Sequence, residues 1–261
     1  DLYAHQWVQT MPLESLRPLT DKTLSFGLLN DVEQWTLLDP VYKAYTKDLC
    51  GYAERGEKEW KRLLGSFFAE GVNIAVVKND EGQIEGYAVY RLGAPEIPVT
   101  EFVYTTRRAQ RGLLNYFYNH RSQGESIRWN EGLHDTGYRF VPDGKTGHTT
   151  MPYMMARIVD VETALTTVPV NPEAVMMPIT LNIKVTDTLC DWNNGVFALT
   201  LGESTLPNVK RVSAESVDEI DITIDIGGLT VLLMGAVSAK DLVFEGKLQG
   251  ESHWIDYLDM V

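Results

Sequence analysis

Hydrophobic positions change their period twice along the chain. Tyr3 to Thr10 has the aromatic and β-branched character of a strand, and Met11-Pro12 should end it, because proline has no N–H to give a ladder. No second strand lies nearby in sequence, so this segment predicts an extended piece without a local partner. Helical spacing follows. Asn30-Asp31 can cap a helix carrying Val32 and Trp35 at i, i+3; Pro40 predicts an interruption, after which Val41, Tyr45 and Leu49 resume the stripe. Trp60, Leu63, Leu64 and Phe67 fit the i, i+3, i+4, i+7 rhythm of an amphipathic helix.

The period then shortens to that of strands. Val72 to Lys78 and Ile84 to Arg91 are joined by Asn79-Asp80-Glu81-Gly82, which predicts a hairpin. Val99 to Thr105 predicts another strand, a helix bearing Leu113, Leu114 and Phe117 comes directly after it, and residues 125–130 predict one more strand. This order implies a mixed α/β domain with a largely antiparallel sheet. Thr136 to Thr150, rich in Gly, Pro and polar residues, reads as a linker.

Beyond the linker, Tyr153 to Val159 is apolar and Asp160 to Leu165 starts a short helix. Pro169, Pro172 and Pro178 break the chain. Ile179, Leu181, Ile183 and Val185 alternate with polar residues as in a half-buried strand, and Asn194-Gly195 predicts a tight hairpin into Val196 to Leu201. Val209 to Ala214 and Ile220 to Ile226 add two strands. Gly227-Gly228 is expected to end the sheet, with a buried helix starting at Leu229 and another capped by Ser238 and Asp241. The second half is thus an α+β domain.

Composition narrows the function. The 261 residues carry a net charge of −13, unevenly: −3 over residues 1–150 and −10 over 151–261, a shift that suggests a domain boundary near 150. A sequence pI of about 4.8 argues against a nucleic-acid partner. No apolar run approaches the ~18 residues of a membrane span. Residues 1–10 have no signal-peptide pattern, and a chain starting at Asp1 suggests an upstream segment removed. Cys50 and Cys190 have neither zinc nor redox spacing, and read as two buried thiols in a reducing cytoplasm.

Candidate chemistry centres on the strand-to-helix junction Tyr104 to Leu114, where backbone N–H groups could cradle a pyrophosphate if small residues let it approach. The surroundings resemble the GNAT acetyltransferase fold, whose Gln/Arg-x-x-Gly-x-Gly/Ala loop holds acetyl-CoA. In the frame ending at Gly112, Ala109 takes the Gln/Arg position and Leu114 the second small one, so one glycine of two remains. The residues favour a helix start with a solvated arginine face over a coenzyme site using Arg108, Arg111 and Gly112. The histidines His5, His120, His134, His148 and His253 never take ligand spacing, so no metal is expected; His134, Asp135 and His148 read as linker polarity. Gly202-Glu203-Ser204 lacks the second glycine of a nucleophile elbow. Asp218, Glu219, Asp221 and Asp225 suggest Ca²⁺ only superficially, since Asp221 and Asp225 fit one face of a solvated edge strand. Leu229 to Met234 could line a lipid tunnel but reads as plain core.

The segment Pro152 to Glu162 resembles the junction motif of the enhanced intracellular survival (Eis) family of GNAT N-acetyltransferases. Pro12-Leu13-Glu14-Ser15-Leu16, Glu85 to Arg91 and Gly228 to Val237 resemble three further family segments, in the same order along the chain. The resemblance implies three parts here: residues 1–20 as the last strand of a missing N-terminal GNAT domain, 21–150 as a degenerate GNAT-like domain, and 151–261 as a sterol carrier protein-like domain. It implies acetyl transfer from acetyl-CoA to aminoglycoside or lysine amines by a cytoplasmic hexamer, with acetyl-CoA on the missing domain and no cofactor-binding residue in this piece. It also implies that a C-terminal carboxylate, here at Val261, serves as base; a carboxylate of raised pKa is suited to accept an ammonium proton. Two alternatives remain: a lipid or small-molecule module with a tunnel behind Ile179 to Val185, and a self-sufficient GNAT enzyme using Gly112.

Overall fold

The structure, a computed structural model, describes residues 2–49, 52–132, 147–168, 175, 177–202 and 206–259. His5–Pro152 forms one compact unit, and the chain from Tyr153 onward, with the first few residues, forms a second.

In the first unit, β1 (Leu2–Pro12) precedes β2 (Ser25–Leu29), α1 (Trp35–Thr46), α2 (Glu57–Ala69), β3 (Asn73–Lys78), β4 (Ile84–Tyr90), β5 (Glu96–Tyr104), α3 (Arg107–Tyr118), β6 (Ser126–Glu131) and β7 (Gly147–Ala156). The sheet order is β2-β3-β4-β5-β6-β1-β7. β5 and β6 are parallel, whereas β2 to β5 pair antiparallel in succession and β6 pairs antiparallel with β1. The N-terminal strand therefore does find a partner: Trp7 sits opposite Glu131 and Pro12 opposite Ser126, so the strand runs one residue past the predicted end at Met11. Residues 147–150, placed in the linker by composition, belong to β7; 133–146 lie outside the described residues.

Strand alternation divides the core into two faces. Ile74, Val76, Tyr87, Val89 and Val103 pack under α1 and α2, with Leu38, Trp60 and Leu64. Ala75, Val77, Ala88, Tyr90 and Phe102 pack under α3 and the 3-10 helix Leu13–Leu19, with Leu16, Leu113 and Phe117. α1 does not stop at Pro40 but runs through it. Asp31 and Gln34 cap the 3-10 turn before α1, and Leu38, Val41 and Tyr42 are buried on either side of the proline. That burial outweighs the one backbone hydrogen bond proline removes.

The second unit contains α4 (Val161–Thr167), β8 (Ile179–Thr186), β9 (Gly195–Leu201), β10 (Asn208–Val212), β11 (Ile222–Asp225), α5 (Ile226–Leu233), α6 (Ala239–Phe244), β12 (Leu248–Gly250) and α7 (Ser252–Leu258). Its sheet order is β10-β9-β8-β11-β12, with β8 and β11 parallel. Leu181, Ile183 and Val185 face a core shared with Leu165, Leu229, Leu242 and Ile255 from the four helices. β11 has neighbours on both sides, so the solvated-edge reading of its acids is corrected: Asp221 accepts the Asn182 N–H at 2.7 Å, and Asp225 caps α5 through the Gly228 N–H at 2.6 Å. Gly227 and Gly228 lie inside the first turn of α5 rather than ending the sheet there.

Asn194-Gly195 is not a two-residue hairpin. β8 and β9 are joined by residues 187–194, and Gly195 has no positive φ, which the predicted turn would need. The connection closes on Asp187, whose side chain is fully buried. Its carboxylate accepts from the Leu189 and Cys190 N–H groups at 2.9 and 3.0 Å, from Asn193 Nδ2 at 2.9 Å, and from Arg157. Asn194 ties the loop ends by bonding the backbone of Asp187 in both directions, at 2.7 and 2.8 Å. Burial opposes the charge on Asp187, but the Asn193, Leu189 and Cys190 donors and Arg157 together hold its pKa at about 2, below the usual 3.8.

Because that pKa is lowered on folding, the stabilisation is complete above pH ~3.8 and is lost as pH falls towards 2. Asp187→Ala should cost roughly 3 kcal/mol at neutral pH, since it strands three donors and the Arg157 charge. Chemical denaturation from pH 7 to pH 2 checks both: the gap between native and variant should close towards pH 2.

Candidate functional site

The parallel pair β5–β6 is where a sheet of this kind opens to a ligand, outside the carboxyl ends of adjacent parallel strands. Their pairing runs only from Glu96 opposite Ser126 to Val99 opposite Trp129. A bulge then bends β5: Val89 of β4 faces Glu101 and Tyr90 faces Val99, leaving Thr100 unpaired. Past the bulge, Thr100 to Tyr104 continues without β6, so the two strands fork. Side chains fill the fork on the α3 face. The Phe102 and Trp129 rings, both buried, lie 5.5 Å apart, in contact range for aromatic pairs, and Phe117 packs against Phe102 at 6.4 Å.

α3 starts where the junction motif predicted a helix, and its cap engages two N–H groups of the first turn. Thr106 is the N-cap, its hydroxyl accepting the Ala109 N–H at 3.0 Å while donating to Glu85 Oε2 at 3.0 Å. The Gln110 N–H bonds the Thr106 carbonyl. A carboxylate thus faces the positive end of the helix dipole, where a phosphate would have to sit. The basic side chains are engaged too: Arg108 bonds Thr23 at 2.9 Å and Asp80 at 3.2 Å, Arg107 bonds Gln110, and Arg111 reaches the Thr20 carbonyl at 3.4 Å.

Gly112 is the sixth residue of α3, not part of a loop, and it faces inward. A Cβ there would lie 2.8 Å from Leu24 Cδ1. The glycine allows close packing of helix on chain rather than close approach of a ligand. Of the candidate coenzyme residues Arg108, Arg111 and Gly112, the structure brings the arginines to protein partners and turns the glycine into the core.

The other sequence candidates are scattered. His120 Nδ1 meets the Tyr116 carbonyl at 2.9 Å, His148 stacks on Trp7 at 4.0 Å, and His253 lies 3.3 Å from Glu251. Among the described residues no three His, Cys, Asp or Glu side chains gather as a metal set, and no helix is long and apolar enough to cross a membrane. Cys190 is half-buried rather than buried. Cys50, His134 and Val261 lie outside the described residues, as does the side chain of His5. On β8, Leu181, Ile183 and Val185 are buried in the apolar core of the second unit. The nearest opening is an apolar cleft of about 240 Å³ lined by Val175, Met177, Pro178, Ile179 and Tyr257.

Sequence reasoning missed one constellation. Glu101, just past the bulge, is largely buried and accepts both Arg55 nitrogens, at 2.8 and 3.1 Å, and the Tyr87 hydroxyl at 2.7 Å. Arg55 also stacks over Tyr42 and Trp60. Burial and the neighbouring Glu101 charge push the Tyr87 phenol well above its usual value, keeping it a hydrogen-bond donor. An acid directly before the apolar pair Phe102-Val103 in β5 was the available signal.

Comparison with known proteins agrees with this architecture. Residues 51–158 match the family model for an acetyltransferase (GNAT) domain, and residues 161–261 that for a sterol carrier protein domain. The chain carries a GNAT domain followed by a sterol carrier protein domain. Among solved structures, a probable N-acyltransferase from Enterococcus faecalis superposes with a TM-score of 0.86 at 23% identity, over 99% of this chain and 64% of its own. A GCN5-related N-acetyltransferase from Anabaena variabilis gives 0.83 at 17%, over 100% and 65%. Eis1 from Mycobacterium abscessus gives 0.66 at 20%, over 99% and 64%. These likenesses show the fold, and the chain spans less than two thirds of each of those proteins. No curated protein sequence matches it.

The inward-facing glycine yields a test. In the native background, the gain from Gly112→Ala in helix propensity should be cancelled or exceeded by the clash with Leu24. In a Leu24→Ala background the same change should stabilise by about 1 kcal/mol. A double-mutant cycle by urea denaturation should therefore give a coupling of roughly 1–2 kcal/mol.

Proposed function

We propose that this chain supplies the scaffold and acceptor-side wall of a GNAT N-acetyltransferase, with acetyl-CoA held by a further GNAT domain rather than by the one in residues 51–158. The observation that carries this reading is Gly112 packed against Leu24, supported by the Glu85 carboxylate at the α3 N-terminus and the Phe102–Trp129 pair in the fork. A pyrophosphate needs close approach to backbone N–H groups and a positive field; the Glu85 carboxylate on Thr106 weakens that field, and Gly112 is turned away into Leu24. The greater length of the solved relatives leaves room for such a domain.

The activity in this reading is acetyl transfer from acetyl-CoA to an amine, of aminoglycoside or lysine type by the family resemblance, in a homo-oligomer. The sterol carrier unit acts as a structural domain, a reading supported by the buried apolar cluster its four helices share with its sheet.

Acetyl-CoA titrated calorimetrically into this chain should give no saturable heat. Micromolar binding, lost on widening Gly112, would instead favour a self-sufficient enzyme.

A further inference from the structure

Arg55 sits in a site built for a cation. Tyr42 and Trp60 stand nearly perpendicular, at 85° and 5.6 Å, and form an aromatic corner. The Arg55 guanidinium carbon lies 4.0 Å from the first ring centroid and 4.7 Å from the second, within cation–π range. Glu101 closes the corner with a bidentate grip, and the buried Tyr87 hydroxyl orients that carboxylate from behind. The Arg55 and Glu101 side chains are only 17% and 14% exposed, so the charge on Glu101 requires a cation in contact with it.

The four walls and the occupant come from different kinds of structure. Tyr42 lies on α1, Trp60 on α2, Tyr87 on β4 and Glu101 on β5. Asp39 accepts the Trp60 indole N–H at 2.9 Å and fixes that ring. Arg55 alone belongs to an irregular connection, the stretch before α2. The cage is therefore preorganised on regular elements, while its cation is carried on a connection, which Tyr42 also holds through its hydroxyl bond to the Ala53 carbonyl at 2.9 Å. Glu101 lies just past the β5 bulge, beyond the stretch in which β5 pairs with β6.

We propose that Tyr42, Trp60, Tyr87 and Glu101 form a binding site for a guanidinium or alkylammonium group, which Arg55 occupies as an internal ligand. Carboxylate, phenol and two aromatic faces select a compact organic cation over a metal ion, because the rings offer a π surface and no lone pair. The external ligand is a cationic amine or guanidine that exchanges with Arg55. This extends the reading of the domain as an acceptor-side wall. Because it is tested by binding without acetyl-CoA, its failure would leave the coenzyme reading untouched, and the reverse.

Thermal unfolding with millimolar ethylguanidinium, against sodium chloride of equal ionic strength, tests it. Arg55→Ala should gain Tm saturably with ethylguanidinium. The native chain, whose tethered arginine competes at high effective concentration, should need at least ~10-fold more ligand. Adding Glu101→Gln to Arg55→Ala should abolish the gain. Equal responses from Arg55→Ala and the double variant, or a native chain that never responds, would overturn the proposal. Should Arg55→Ala not fold unaided, refolding with and without ethylguanidinium decides: ligand-dependent recovery supports the site, and no recovery in either case overturns it.

Discussion

The approach of α3 to the underlying chain, set by a bare Cα at Gly112 against Leu24, is the constraint on which the first unit depends. It draws Leu113, Leu114 and Phe117 down onto the sheet and brings Phe117 against the Phe102 ring in the fork. At the start of this helix the Ala109 and Gln110 N–H groups bond Thr106, and the Glu85 carboxylate lies beyond them.

The opposite face of the sheet shows a different economy. There α1 and α2 cover an apolar floor, and the bulge in β5 delivers one carboxylate into it. An isolated buried charge is strongly disfavoured, and here it is matched by a guanidinium, a phenol and two aromatic rings. The two faces thus differ in kind: one is sealed by hydrocarbon packing, the other organised around an ion pair.

Much of this was legible in the residues. The alternation through Ile179 to Val185, the 3.6-residue stripe at Trp60 to Phe67, and the caps at Asp31, Asp160 and Ser238 all report local forces, and each appears where its local signal put it. The helix start at the Tyr104 to Leu114 junction was also readable, and the structure places Ala109 to Leu114 on α3. What the sequence hid depends on distance along the chain. The partner of β1 lies more than a hundred residues away, Arg55 and Glu101 are 46 residues apart, and Asn194 serves a loop closure rather than a turn. Pro40 misled for a related reason: its cost is local, whereas the burial that offsets it comes from strands folded onto α1 later in the sequence.

The Asp187 hub has a consequence for the order of assembly. Three of its donors, at Leu189, Cys190 and Asn193, lie within six residues and can gather as soon as that loop turns. The fourth, on Arg157, is 30 residues away. Nearby partners meet sooner than remote ones, because closing a longer stretch of chain sacrifices more entropy. The acid is therefore hydrogen-bonded early by its neighbours and receives its countercharge only when the entrance to α4 docks, so the arrival of the arginine follows the closing of the loop it serves.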